Sequence, residues 1–160
     1  MVKNVTSQAT RMSKPLRGLA TGAWGVNCTM KIETHGLNCQ IEFSAPDREG
    51  WQRAKINIAV PNFNGSFACE LQSEEIEYLR QQLLHLESQL GKEASIEWQN
   101  LEDNIFLSLK LDRQGNIEGV YKFSANVISI GPTLSGEFNA DQSYLIKWAN
   151  QLKGVASVGT

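Results

Sequence analysis

The sequence predicts an α+β fold, a mainly antiparallel β-sheet system of about eight strands with two amphipathic helices, ordered four strands, helix, four strands, helix. Three observations predict it. Apolar residues recur with period two along most of the chain, as strands with one buried face require. Twice that period gives way to the spacing of a helix. Between strands stand short Gly, Pro, Asn and Asp breaks rather than helices, so the strands succeed one another as hairpins, not as parallel crossovers.

Val26, Cys28, Met30 and Ile32 share one face of a first strand. His35-Gly36 reads as a two-residue hairpin turn, and Leu37, Cys39, Ile41 and Phe43 return on a second strand. That turn sets the register, with Ile32 facing Cys39 and Cys28 facing Phe43. Ala45 to Gly50 is turn chemistry. Ala54, Ile56, Ile58 and Val60 make a third strand, Pro61 to Gly65 break it, and Phe67, Cys69 and Leu71 make a fourth.

Ile76, Leu79, Leu83, Leu86 and Leu90 then fall on one helical stripe. Ser73 is placed as its N-cap, Glu74 and Glu75 suit the positive end of its dipole, and Gly91 sits where a left-handed cap belongs. Strands resume with Ala94, Ile96 and Trp98, then Ile105, Leu107, Leu109 and Leu111. Asp112 to Asn116 form a hairpin loop, from which Ile117, Gly119, Tyr121 and Phe123 return. A run through Val127 and Ile128 ends at Gly131-Pro132, and Leu134, Gly136 and Phe138 lead to the second helix. Asn139 and Gln142 stand three apart there, as in a capping box. Leu145, Trp148 and Leu152 are its stripe, with Gly154 to stop it. Both halves close alike, with Glu70-Leu71-Gln72 and Glu137-Phe138-Asn139 each followed by acids and a Tyr-Leu pair, as an internal duplication would leave them.

The 160 residues, 41% apolar and 20% charged, suit one globular domain over 21–160, preceded by a basic tail over 1–20. Lys3, Arg11, Lys14 and Arg17 open the chain with no acid among them, which leaves −6 on the remainder of a chain whose net charge is −2. An acidic body disfavours nucleic-acid binding, which needs a clustered cationic surface. No apolar run is long enough to span a bilayer and no signal-type stretch opens the chain, so the expected address is the cytoplasm, off the membrane. Cys28, Cys39 and Cys69 agree with a reducing compartment: the number is odd, and each occupies an apolar strand position as a small buried hydrophobe would.

No catalytic constellation stands out. The two histidines, His35 in a turn and His85 off the helix stripe, have no second ligand at metal spacing, so neither a metal nor a cofactor is expected. There is no G-x-S-x-G, no G-x-G-x-x-G and no phosphate-binding Gly-Lys loop. Glu74, Glu75 and Glu77, and Glu97, Glu102 and Asp103, read as solvated acids. Trp98 and Trp148 fall on apolar faces. Trp24 and Trp51 stand at strand entrances beside glycines, where a large aromatic can anchor a partner or line a pocket.

Gly22-Ala23-Trp24 resembles the G-x-W of lipocalins, which implies a small-molecule carrier, although a helix interrupts the strands at midpoint. A longer likeness runs from Leu37 to Leu152. Asn64-Gly65-Ser66-Phe67-Ala68-Cys69, the helix from Ser73 to Leu90, Leu107 to Asp112 with Gly115-Asn116-Ile117, and above all Leu134 to Leu145, resemble bacterial immunity proteins of the WapI type. That resemblance implies a non-enzymatic protein-binding module of a bacterial cytoplasm, with a toxin as its partner; the lipocalin-like carrier is the alternative. Oligomeric state is not legible in the sequence.

Overall fold

A computed structural model describes residues 25–125 and 131–156. The basic segment 1–20, Trp24 and the Val127-Ile128 run lie outside the described residues. The chain forms strands β1 (Val26–Thr34), β2 (Leu37–Ser44), β3 (Trp51–Val60) and β4 (Phe63–Gln72), then helix α1 (Ser73–Ser88). The second half repeats the order with β5 (Ala94–Gln99), β6 (Ile105–Leu111), β7 (Asn116–Ser124), β8 (Thr133–Asp141) and helix α2 (Ser143–Ala156). Each set of four strands is one antiparallel meander, in order β1-β2-β3-β4 and β5-β6-β7-β8. The predicted fold class and element order are those found.

The first hairpin has the expected register, Ile32 opposite Cys39 and Cys28 opposite Phe43. The local boundaries differ at four places, each for a physical reason. Pro61-Asn62 alone turns the chain, because Asn62 takes the left-handed φ of 69° that asparagine tolerates, and β4 begins already at Phe63. Gln72, not Ser73, caps α1: it is still extended and paired with Trp51, and its N–H donates to Glu75 Oε2 at 2.7 Å. Ser73 Oγ instead donates to Gly50 O at 3.1 Å and accepts Gln52 Nε2 at 2.7 Å. Asn139 stays in β8 opposite Glu118, and α2 starts where Asp141 Oδ1 accepts the Ser143 N–H at 2.8 Å. Gly154 lies within α2, held there by the packing of that helix on β1, where the Cys28 thiol donates to Gln151 O at 3.2 Å.

The inner faces of both sheets and the stripes of both helices meet in one core. The helices pack on each other, and α2 also lies along β1, where Gln151 Oε1 accepts the Lys31 N–H at 2.9 Å. The β1–β2 turn reaches the other sheet: Asn139 N donates to His35 O at 3.1 Å, an isolated bridge between the two meanders. Gly36, at φ 100°, presses so close to β8 that a Cβ would lie 3.0 Å from Glu137 O.

Between β7 and β8, glycine and aromatic alternate across the strands. Gly119 faces Phe138 and Tyr121 faces Gly136. Each ring lies over the neighbouring glycine, so a Cβ on Gly119 would come within 2.2 Å of Phe138 Cζ. From there aromatic contacts run on: Phe67 to Phe123 at 6.4 Å, Phe123 to Tyr121 at 5.5 Å, Tyr121 to Phe138 and Phe138 to Trp148 at 6.4 Å. The chain of rings links the first sheet through the second to α2.

Overpacking here has no outlet, since Phe138 is itself buried against Trp148. Gly119→Ala is therefore expected to cost about 1–3 kcal/mol, read as a lower denaturation midpoint at unchanged slope. An unchanged midpoint would mean that the Phe138 ring has room to move.

Candidate interaction surface

The β5–β6 loop is held from below by a buried asparagine. Asn100 Oδ1 accepts the N–H groups of Asn104 at 2.9 Å and Ile105 at 2.8 Å. Asn104 in turn exchanges bonds with Ser124, donating from Nδ2 to Ser124 O at 3.0 Å and accepting the Ser124 N–H at 2.8 Å. This network fixes Leu101, Glu102 and Asp103 at the rim, with Asp103 at a left-handed φ of 55°.

The first turn of α1 meets that rim. Glu75 Oε1 accepts the Leu101 N–H, its Oε2 accepts Gln72 N–H, and its backbone carbonyl accepts Trp98 Nε1 at 3.0 Å. Tyr78 stands one turn further along the same helix. Tyr78 and Leu101 are 56% and 61% exposed, two of the largest apolar surfaces the described residues leave to solvent.

Carboxylates surround this corner. Burial pushes the Cys69 thiol far up, and the charges of Glu75, Glu70 and Glu102, all within electrostatic reach of it, push further in the same direction. Glu74 is exposed beside them, and Asp103 Oδ1 accepts Gln99 Nε2 at 2.6 Å. Glu77 is gripped by Arg80 at 2.7 and 2.8 Å, which holds its carboxyl below the usual range. That ionised pair steadies the helix at neutral pH, and its contribution fades as pH falls through the lowered pKa. Arg53, opposite Glu70 across β3 and β4, borders the patch.

Glu75 of the first acidic group and Glu102 of the second thus lie at one corner, whereas Glu97 lies opposite Ser108 on the exposed face of the second sheet. Trp24 lies outside the described residues. Trp51 opens β3 only 9% exposed, its N–H donating to Asp47 Oδ1 at 2.9 Å. Tyr78 and Leu101 escaped the linear reading. Their signal was an aromatic off the apolar stripe of α1 and an isolated leucine in an acidic loop.

Other features offer less. Among the described residues no three His, Cys, Asp or Glu side chains converge on a metal-sized site. The three cysteines are free thiols, and burial alone raises Cys39 to about 12. The interior void lined by Met30, Ile41, Phe43, Leu79, Trp98 and Phe123 measures about 30 Å³, far below a small-molecule pocket. An open concavity of about 450 Å³ beside the β6–β7 hairpin mixes charges, with Lys110 against Glu93, Asp112 and Glu118.

Asn100→Ala would orphan two buried N–H groups and is expected to cost roughly 2–4 kcal/mol in equilibrium unfolding. A neutral result would mean that water replaces the amide. Cys39 and Cys69 should resist alkylation at neutral pH until the protein unfolds, as mass spectrometry of iodoacetamide-treated protein would record. Rapid labelling of either in the native state would contradict their burial.

A model of the Immunity protein WapI-like family matches residues 26–157. No curated protein matches the chain. Among solved structures, a plant transcriptional regulator, PBF-2, is similar at 10% identity and TM-score 0.42, over 84% of this chain and 82% of that one. WHY3 from Arabidopsis thaliana is similar at 12% identity and TM-score 0.36, over 85% and 92%. A DUF155-family protein of unknown function from Prochlorococcus sp. NATL2A gives 15% identity and TM-score 0.32, over 79% and 98%. Likenesses of this size carry no functional argument.

Proposed function

Because the chain belongs to the Immunity protein WapI-like family, we propose that it is a non-enzymatic immunity protein that neutralises a toxin by covering the toxin's working surface. The observation that carries this reading is the acidic corner around Tyr78 and Leu101. An exposed aromatic and an exposed aliphatic side chain, with Glu75 holding the Leu101 loop and Glu102 next to Leu101 in that loop, have the make-up of a binding hot spot. Their carboxylate surround favours a basic partner, such as a toxin domain that itself engages nucleic acid, and would steer its approach.

In this reading the binding unit is the domain over 21–160, acting in the bacterial cytoplasm where such a toxin would do its damage. None of the described helices is long and apolar enough to cross a membrane. The carrier alternative draws no support from an interior void of about 30 Å³.

The test is binding to basic toxin domains encoded in the genome that carries this chain, with protection from the bound toxin as a second readout. Wild-type protein should bind, and the association rate should fall steeply as salt rises. Tyr78→Ala and Leu101→Ala should each weaken binding by about 10-fold or more while leaving the melting temperature within a few degrees. Absence of binding by the wild-type protein would sink the immunity reading. Binding that both variants leave intact would move it to another face.

A further inference from the structure

The outer strands of the two sheets are not protected alike. The edge of β1 is blunted by α2, whose Gln151 side chain occupies the Lys31 N–H. The edge of β8 carries Glu137 and Asp141 and is bridged at Asn139 by the first hairpin. Beside β5, Glu93 and Glu97 supply charge, and Trp98 is tied to α1. Such devices discourage strand addition. The edge of β4 has none over Phe63 to Ala68: it contains no charge and no proline, and its backbone bonds, among the described residues, run to β3 alone. Phe63, Asn64, Gly65 and Ser66 are all exposed, Phe63 by 65%.

The sequence of this edge is also symmetric about its centre. In Phe63-Asn64-Gly65-Ser66-Phe67, antiparallel pairing of two copies about Gly65 sets each Phe63 against the other copy's Phe67, and each Asn64 against the other's Ser66. Phe63 and Phe67 point to the same face, the one shared with Val60 and Ile56 across β3. Phe67 is half-buried with its ring edge-on to Phe123, while Phe63 on the same face is exposed. Gly65 is not demanded by the fold of a single copy, since a Cβ there would meet nothing within 4 Å. Two glycines facing each other across a twofold axis would instead let the flanking rings close over them.

We propose that two copies of this chain pair antiparallel through Phe63–Phe67 of β4, joining their first sheets into one eight-stranded sheet about a twofold axis at Gly65. Such a contact is isologous, so it closes at two copies. The paired segment is short, so the association is weak and depends on concentration. It uses an edge of the first sheet and does not depend on the toxin-binding reading.

Sedimentation of the full chain from low to high micromolar concentration should show a shift from monomer to dimer. Gly65→Lys sets like charges directly opposite each other at the axis, where a single copy has room for the side chain. It should remain monomeric throughout while melting, when dilute, at the wild-type temperature. Gly65→Cys should oxidise to a reducible dimer whose linking peptide carries residue 65 from both copies. A wild-type protein that stays monomeric, or a Gly65→Cys variant that yields no such cross-link, overturns the proposal. So does a dimer that Gly65→Lys leaves intact. A monomer whose toxin binding is lost in Gly65→Lys would also overturn it, and would assign the edge to a strand of the partner. Toxin binding by the wild-type protein, scored separately, keeps this outcome distinct from failure of the immunity reading.

Discussion

The interlock of glycine and aromatic across β7 and β8 is the constraint on which the arrangement turns. Here the Tyr121 and Phe138 rings lie over the residues opposite them, so those positions have no room for a side chain. Gly119 and Gly136 meet that need. With those rings laid flat over glycine, Phe138 can reach Trp148 in α2 while Tyr121 and Phe123 reach towards Phe67 in the other sheet. The sheets, and the helix that closes them, are thereby positioned by one continuous set of ring contacts. Dense packing of this kind transmits strain, so the spacing of the layers has little freedom.

The acidic corner inherits its rigidity from the same core. Glu75 serves three partners at once through its two carboxylate oxygens and its backbone carbonyl: the cap residue of its own helix, the rim of the β5–β6 loop and the buried indole of Trp98. A surface assembled from a helix start and a loop would ordinarily be loose. Here the loop is fixed from inside by Asn100 and from outside by Glu75, so Tyr78 and Leu101 are presented with little freedom to lose on binding.

Most of the architecture could be read along the chain because period and turn chemistry are local properties. The stripe from Ile76 to Leu86 and the alternation of Ile105 to Leu111 announce their elements without reference to anything distant. The His35-Gly36 turn even fixed a register, because a two-residue loop leaves no slack. What could not be read was long-range. Ser73 looked like a cap until Gln52 and Gly50 claimed its hydroxyl, and Gly154 looked like a stop until β1 supplied a surface for the helix to continue along. The acidic corner was hidden for the same reason: Glu75 and Glu102 come from two stretches that only the fold brings together.

The placement of α2 along β1 has a consequence for biosynthesis. Strand β1 is completed by a helix made more than a hundred residues later, through the Cys28–Gln151 and Lys31–Gln151 bonds. Until α2 has been made, β1 lacks those bonds and the core lacks the apolar stripe of that helix. A nascent chain of this topology can form each meander from neighbouring strands, while the contacts between β1 and α2 span a large sequence separation and form late. The interval between the synthesis of β1 and its closure is set by the arrival of α2.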